Sequence, residues 1–348
     1  MTETYVSDDR DKPIRKQRSG CRWIFTLSLL SLLGFSVLLN IGLLAHRFID
    51  QDRSDSSSRP VDEFPVFRST WSFGDGDTRV VRIPLQGLIM REPEGGLFGP
   101  RQDRIELILN RIRAATNDQT VHGIILEVDS PGGAVTPSDE IFRALNRFRE
   151  SSPDRRVLVF TRDMAASGAY YAAMAGDWIM AEPTALIGSI GVIIQTLNWH
   201  ELSRRIGVTD VTIKSGENKD LLNPFQPTSA QDRDHLQAVV DVMFDRFAGI
   251  VQEARGFDDE VLERVADGRI FSATDALEEG LIDEIGYWDE AVAKMAELLD
   301  VPSVRVTRFE RRTDWTDIFL GLQQSPFDLR TAMPPHLDRP RLLYLWQP

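Results

Sequence analysis

The sequence has a single cysteine, Cys21, among its 348 residues. One cysteine excludes an intramolecular disulfide framework and a metal site built from several thiolates. The five histidines are scattered, and no two of them have the spacing of an HExxH zinc motif. The sequence therefore predicts no metal site and no bound cofactor.

The sequence has fewer basic than acidic residues. It contains 40 Lys and Arg against 53 Asp and Glu, which gives a net charge of -13. A domain that binds nucleic acid usually presents a basic face, so this balance argues against a nucleic-acid partner. Hydrophobic residues make up 42% of the chain, enough for a sizeable core. The length suits an anchor plus one large domain or two modest ones.

Charge is absent from the 23 residues of Trp23–Ala45, which are rich in Leu, Ile, Val and Phe. As a helix this stretch would extend roughly 34 Å, enough to cross a hydrocarbon core of ~30 Å. The apolar part of a secretory signal is shorter, about 7–15 residues, and ends in a small-residue cleavage site that is not evident here. The sequence predicts an uncleaved transmembrane signal anchor over residues 23–45, with a cleaved signal peptide as the alternative.

Basic residues precede this stretch and acidic residues follow it. Before it lie Lys12, Arg15, Lys16, Arg18 and Arg22, and after it lie Asp50, Asp52, Asp55, Asp62 and Glu63. The positive-inside rule predicts that residues 1–22 form a cytoplasmic tail and that the rest of the chain lies outside the cytoplasm. The expected location is the inner cell membrane, crossed once. Residues 46–78, which hold Ser-rich and Gly/Asp-rich stretches, are predicted to be a juxtamembrane linker.

From Arg79 onward the pattern changes to alternating strands and helices. Val80–Met90 and Ile124–Val128 have strand patterns, whereas Arg104–Thr116 and Ser229–Arg255 carry apolar residues at helical spacing. Ser229 is a plausible N-cap of the last helix. This alternation predicts an α/β fold with a largely parallel sheet.

The α/β region is predicted to cover residues 79–308 and to be followed by a tail, residues 309–348. The tail is aromatic and rich in proline. We expect it to pack against the domain or a neighbouring subunit, and a role in the active site is the less favoured alternative.

The turn Asp129–Gly133 follows the predicted strand Ile124–Val128 and contains two adjacent glycines. Glycine lets a backbone approach a ligand closely and turn its N–H groups toward it. Such a group can donate to an oxyanion, which is worth ~2.7–4 kcal/mol per donor in acyl transfer. Taken alone, an ordinary turn is the more frequent explanation.

Ser167 lies among very small residues in Ala165–Tyr171, at a predicted transition from strand to helix. A serine in this setting can be approached closely by a peptide, and the Gly168 N–H could be a second oxyanion donor. An N-cap serine is the alternative. Ser189, in the turn Gly188–Gly191, could orient a catalytic base, as the third group of a triad does, or could be a turn serine.

Lys219 lies in the polar loop Ser215–Asp220, after a predicted strand at Val211–Lys214. A lysine acts as a general base only when its amine is neutral, which burial in an apolar pocket favours. Glu217 and Asp220 would oppose this, so we predict that both carboxylates point away from the amine. A solvated surface lysine is the alternative.

Together these segments resemble the signal peptide peptidase A (SppA) family of serine–lysine peptidases. The resemblance covers roughly Val80–Ala296 and combines four ordered motifs, which are more specific than any one of them. They are DSPGG at Asp129–Gly133, AASG at Ala165–Gly168, GSIGV at Gly188–Val192 and the SG–KD loop at Ser215–Asp220.

The resemblance implies a role for each of these residues. Ser167 would be the nucleophile and Lys219 the general base, with Ser189 as the orienting partner of the amine. Backbone N–H groups near Gly133 and Gly168 would form the oxyanion hole.

The fold implied by the resemblance is a Clp protease/crotonase-like spiral of ββα units, here preceded by one transmembrane helix. Members of the family form dome- or bowl-shaped homo-oligomers, so the resemblance implies that one subunit can supply Lys219 to Ser167 of its neighbour. One departure is Ala169, where the family usually has a second glycine, and its methyl group could narrow a substrate subsite. The single catalytic unit matches the short form of the family.

The expected function is that of a membrane-bound serine endopeptidase that degrades cleaved signal peptides or other short apolar peptides through an acyl-enzyme. Two alternatives remain open at this point. A Clp-like Ser-His peptidase would use His200 as its base. A non-peptidase oligomeric scaffold or crotonase-like binder would not use the serine at all.

Overall fold

The computed structural model describes residues 27–42, 63–91, 103–311 and 342–345. The chain forms two compact units, residues 1–60 and residues 61–348.

The smaller unit contains helix α1, residues 27–42, whose side chains are exposed. This helix lies within the predicted anchor Trp23–Ala45, and the other residues of that prediction are outside the described part of the chain. Across the described ranges, no helix combines the length and the apolar character needed to span a bilayer. The anchor and the cytoplasmic tail, residues 1–22, stay predictions.

The larger unit contains twelve strands among its described residues. The strands are β1 Phe67–Phe73, β2 Thr78–Gln86, β3 Val121–Ser130, β4 Gly132–Ala134, β5 Arg156–Ala166, β6 Trp178–Ala181, β7 Leu186–Gly188, β8 Ile193–Ile194, β9 Ile270–Ser272, β10 Glu284–Ile285, β11 Val304–Arg311 and β12 Leu342–Leu345. Strand β1 lies inside the stretch 46–78, so regular structure begins earlier than the predicted linker boundary.

Helices lie between most of these strands. They are α2 Arg104–Asn117, α3 Val135–Glu150, α4 Gly168–Ala173, α5 His200–Ile206, α6 Ala230–Arg255, α7 Asp259–Val265, α8 Ala273–Glu278 and α9 Trp288–Leu298, together with a 3-10 helix at Glu217–Asp220.

A mostly parallel sheet runs through the larger unit in the order β1-β11-β2-β3-β5-β6-β10. Strand β1 is antiparallel to β11 at one edge, and the remaining neighbours are parallel. Near its end, β5 leaves β6 and pairs with β7, which is antiparallel to β9. A second, small sheet has the order β4-β12-β8. The predicted α/β class with a largely parallel sheet is therefore confirmed.

Both faces of the large sheet are covered. Helices α2, α3, α4 and α6 contribute buried residues to the core on one face, which includes Ile124, Leu126 and Val128 of β3. Helix α9 covers the other face, against Ile125 of β3 and Leu158 of β5. Because β3 and β5 are buried on both faces, they consist of nearly continuous apolar residues, as central parallel strands usually do.

Capping residues and apolar spacing in the sequence predicted the helices well. Helix α6 begins where its N-cap predicted, because the Ser229 hydroxyl accepts from the Asp232 N–H and the Asp232 carboxylate accepts from the Ser229 N–H. The predicted strand at Val211–Lys214 is wrong. That stretch is irregular, and Val211 and Ile213 are exposed, since no neighbouring strand lies beside them in the described chain.

A buried carboxylate joins three central strands. Glu127 of β3 is 2% exposed and accepts hydrogen bonds from Arg82 of β2 and Arg162 of β5. Arg82 also lies over the Trp288 ring, at 4.4 Å from its centroid. Burial acts to raise the pKa of Glu127, but the hydrogen bonds from the two arginines outweigh it and hold the pKa below its ordinary value of 4.5.

We predict that Glu127→Gln lowers the free energy of unfolding at pH 7, measured by urea denaturation. Removing one partner of a wholly buried ion pair costs ~3–5 kcal/mol, and we expect about 2 kcal/mol because Arg162 is partly exposed. A carboxyl group with a depressed folded pKa stabilises the protein above its unfolded pKa. The difference between wild type and variant should therefore be full at neutral pH and shrink as pH falls through the folded pKa.

Glu297→Gln is the matched control, because Glu297 is exposed and pairs with Lys294 on the surface. It should change stability by less than about 0.5 kcal/mol. An equal loss in both variants, or a Glu127 effect that does not depend on pH, would contradict a stabilising role for the Arg82–Glu127–Arg162 contact.

Candidate active site

Ser167 forms the sharp turn between the end of β5 and the start of α4. Its N–H donates to the Gly188 carbonyl at 2.7 Å, and its carbonyl accepts from the Tyr171 N–H at 2.9 Å. The side chain does not cap α4, and its hydroxyl forms no hydrogen bond with any residue that the structure describes. Within the described part of the chain, the Ser167 hydroxyl therefore has no structural hydrogen-bond partner.

The backbone of Ser167 has φ 52° and ψ −115°, a conformation that residues with a side chain rarely adopt. Such a conformation costs of order 1–3 kcal/mol and persists only where the surrounding structure imposes it. Here the two backbone hydrogen bonds impose it. A strained turn from strand to helix that displays a serine is also how α/β hydrolases present their nucleophile.

Ser189 lies beside Ser167, because β5 and β7 are paired up to Ala166 and Gly188. Ser189 also has a positive φ, 51°, and its N–H donates to the Arg269 carbonyl at 2.7 Å. The residue is 6% exposed. The structure thus brings two of the predicted site residues together, each on a strained turn at the end of neighbouring strands.

Gly133, in β4, passes against the backbone of Ile89 and has no room for a side chain. A Cβ atom at Gly133 would lie 2.1 Å from the Ile89 carbonyl oxygen. The Ile89 N–H donates to the Gly132 carbonyl and the Ala134 N–H donates to the Ile89 carbonyl, both at 2.8 Å. The Gly132 carbonyl and the Gly133 N–H belong to one trans peptide group and point in opposite directions, so the N–H of Gly133 points away from Ile89.

Gly168 is the first residue of α4. The N–H groups of the first helical turn have no partner within the helix, and the helix dipole makes them favourable donors to a negative charge. The Gly168 N–H, next to the Ser167 side chain, therefore has the character that an oxyanion donor requires.

Lys219 lies on the 3-10 helix Glu217–Asp220 and is exposed. Its amine makes no ion pair or hydrogen bond with any residue in the described ranges. The Lys214 amine instead binds the Asp220 carboxylate at 2.6 Å and the Glu217 carbonyl at 2.9 Å. Asp220 is thus turned toward Lys214, as expected, but no described contact joins Lys219 to Ser167.

The segment of residues 199–242, which contains Lys219, exposes many apolar side chains. They are Trp199, Leu202, Ile206, Val208, Val211, Ile213, Phe225, Val239 and Val242. Exposed apolar surface on this scale is typical of a surface that another molecule covers. In the same region, the ring nitrogen Nδ1 of His200 lies 2.9 Å from the Phe225 carbonyl oxygen.

Two tyrosines that the sequence did not single out hold α4 in place. The buried Tyr170 hydroxyl donates to the Leu281 carbonyl at 2.7 Å, and burial raises its pKa far above the usual range. The Tyr171 hydroxyl donates to Asp139 at 2.6 Å, and Arg246 binds the same carboxylate. The only sequence signal was the pair of bulky residues directly after a run of small ones.

Comparisons with known proteins agree with this geometry. The profile of Peptidase family S49 matches residues 149–302. A putative signal peptide peptidase SppA of Enterococcus faecium is 32% identical over 248 residues, covering 71% of this chain and 72% of the relative. A putative protease of Methanocaldococcus jannaschii is 30% identical and covers 62% and 68%. The chloroplastic serine protease SPPA of Arabidopsis thaliana is 29% identical and covers 77% and 40%.

Because the backbone of Ser167 is strained, we predict that glycine is a more stable replacement than alanine at this position, the reverse of their order inside a helix. Glycine tolerates a positive φ, whereas alanine keeps the Cβ atom, so Ser167→Gly should be more stable than Ser167→Ala by about 1 kcal/mol in urea denaturation. At Ser203, inside helix α5, the order should reverse, because glycine is about 1 kcal/mol worse than alanine in a helix. If glycine is the less stable substitution at both positions, Ser167 is not strained.

Proposed function

The chain belongs to peptidase family S49, the signal peptide peptidase A family of serine peptidases, and we propose that Ser167 and Lys219 form its catalytic dyad. The observation that carries this proposal is the strained turn at Ser167, which lies beside Ser189 and whose hydroxyl makes no hydrogen bond with the residues that the structure describes. The proposed substrates are cleaved signal peptides or other short apolar peptides.

The reaction begins when the neutral Lys219 amine accepts the proton of the Ser167 hydroxyl as its oxygen attacks the scissile carbonyl carbon. The N–H groups of Gly133 and Gly168 stabilise the oxyanion, each by ~2.7–4 kcal/mol. The lysine ammonium then protonates the leaving amine, which gives an acyl-enzyme. Water, deprotonated by the same amine, attacks the ester carbonyl, and the ammonium returns that proton to the Ser167 oxygen as the acyl–oxygen bond breaks and the second product leaves. Ser189 orients the amine throughout.

We further propose that a neighbouring subunit of a homo-oligomer completes the site. In a single chain Lys219 is exposed. A second copy packed on the exposed apolar side chains of residues 199–242 would bury them, and burial of the amine in the same contact would favour the neutral form of lysine. The irregular stretch Val211–Lys214, with Ile213 97% exposed, supports an intersubunit contact in this region.

The proposed fold in finer detail is the Clp protease/crotonase-like spiral, with the catalytic region on the outer side of the inner membrane. The charge pattern on either side of Trp23–Ala45 supports this orientation. An anchor would confine the enzyme to the surface where apolar peptides accumulate. No cofactor or metal takes part in the proposed reaction.

We predict that Ser167→Ala and Lys219→Ala each lower kcat at least about 10³-fold on an apolar fluorogenic peptide, because each removes a group that moves a proton or forms a bond. Lys219→Arg should be as inactive, since a guanidinium keeps its proton. Lys294→Ala and His200→Ala are the controls and should retain activity. Activity in Lys219→Ala, or its loss in His200→Ala, would contradict the Ser/Lys assignment.

The intersubunit dyad predicts complementation between two inactive variants. When Ser167→Ala and Lys219→Ala chains are co-assembled in equal amounts, random mixing in a ring should leave about a quarter of the sites with both intact residues. The activity of the mixture should approach that fraction of wild type. Separately assembled variants, combined without subunit exchange, are the control, and an inactive co-assembly would show that each chain uses its own lysine.

A further inference from the structure

Ser130 is the serine of the DSPGG motif and the last residue of β3. It is fully buried, and in the sheet it lies opposite Ala165, near the end of β5. Its hydroxyl donates to the Gly87 carbonyl at 2.6 Å and accepts from the Gly132 N–H at 3.1 Å. This one side chain therefore ties the loop after β2 to the turn after β3.

The peptide group that joins Gly132 to Gly133 has a glycine on both sides. Because neither residue has a side chain, rotation of this group meets little steric resistance, and Gly132 already has a positive φ of 93°. The proposed mechanism needs the N–H of this group in one fixed direction, because an oxyanion hole depends on donors that are oriented before the reaction starts. Contacts with other segments must supply the rigidity that two adjacent glycines lack.

Three hydrogen bonds hold this turn. The Gly132 N–H donates to the Ser130 hydroxyl, and the Gly132 carbonyl accepts from the Ile89 N–H. The Ala134 N–H donates to the Ile89 carbonyl. Both polar groups of Gly132 are thus bound, one by a side chain and the other by the backbone of Ile89. Of the three contacts, the one with Ser130 is made by a side chain, so a substitution can remove it.

We propose that Ser130 is a positioning residue of the reaction. Its hydroxyl fixes Gly132 and thereby directs the Gly133 N–H toward the oxyanion that forms when Ser167 attacks the scissile carbonyl. This inference rests on the proposed function, in which that N–H is an oxyanion donor. Helix α4, which begins next to Ser167, packs against β4, which carries Gly133, so the nucleophile and the donor lie on adjoining elements.

The test compares Ser130→Ala with Ser138→Ala in the full-length chain. Ser138 is the matched control, because it is also fully buried and its hydroxyl donates to a backbone carbonyl, that of Ala134, at 3.0 Å. Each variant removes one buried hydroxyl, but only Ser130→Ala takes a hydrogen-bond acceptor from the Gly132 N–H. If Ser130→Ala does not fold, Ser130→Cys takes its place, because a thiol has a similar shape but is a weak donor and acceptor.

The first readout is the hydrolysis of an apolar fluorogenic peptide. Ser130→Ala should lower kcat about 10- to 100-fold and change KM less than about 2-fold, because an oriented oxyanion donor acts in the transition state. Ser138→Ala should keep both constants within about 2-fold of wild type, and Ser130→Cys should lower kcat by a smaller factor than Ser130→Ala. An unchanged kcat in Ser130→Ala, or an equal loss in Ser138→Ala, would overturn the positioning role.

The second readout is the inhibition constant of an apolar peptide boronic acid. The Ser167 oxygen adds to the boron atom and gives a tetrahedral anion that resembles the transition state, so the affinity follows transition-state binding. This constant should rise in Ser130→Ala by the factor by which kcat/KM falls, whereas the same peptide without boron should bind as it does to wild type. Equal weakening of both peptides would indicate a general defect of the site and would contradict positioning.

The third readout separates failure of this inference from failure of the proposed function. In the Ser167→Ala background, the Gly132 amide should exchange hydrogen at least about 10-fold faster with Ser130→Ala than with Ser138→Ala. The Ala134 amide, bound to Ile89, is the internal reference and should exchange equally in both. If wild type cleaves peptides but Gly132 exchange does not differ, the inference fails and the function stands. If Gly132 exchange differs but no chain cleaves any peptide, the proposed function fails, and Ser130 only stabilises the turn.

Discussion

The hydrogen bond from the Ser167 N–H to the Gly188 carbonyl ties the end of β5 to the end of β7. It holds Ser167 at a positive φ and sets Ser189 beside it. The long pairing of β5 with β3, and the hydrogen bonds of Tyr170 and Tyr171 in α4, offset the free-energy cost of this strained conformation. The candidate site thus depends on a backbone contact between two strands, and that contact sets the positions of Ser167 and Ser189.

In the single chain the fold holds the candidate nucleophile in place, whereas the candidate base is exposed to solvent. Ser167, Ser189 and the glycine turns are buried in the main domain, whereas Lys219 lies on a polar loop within an apolar, exposed region. Under the proposed function, packing against a second copy of the chain would both supply the lysine and shield it from water. The reaction would then be restricted to the assembled form.

Local signals predicted much of the larger unit. Apolar spacing and the capping serine located α6, and continuous apolar runs located β3 and β5, because those features depend on neighbours along the chain. The sequence did not reveal the Tyr171–Asp139–Arg246 contact, since its members are distant in sequence. It also misled at Val211–Lys214, whose apolar and polar residues alternate as in a strand although no partner strand lies beside them in the described chain. Alternation predicts a strand only where a sheet is available to receive it.

By itself, the sequence determined the candidate groups of the site, their order along the chain and the α/β class. These are encoded in the identity and spacing of residues, so four short motifs were enough to indicate a serine peptidase. Only the tertiary structure decided the backbone angles of Ser167, the exposure of Lys219 and the pairing of β12 with β4 and β8. Each of these arises from contacts between segments far apart in the chain, whose free energy depends on the whole fold and not on the residues nearby.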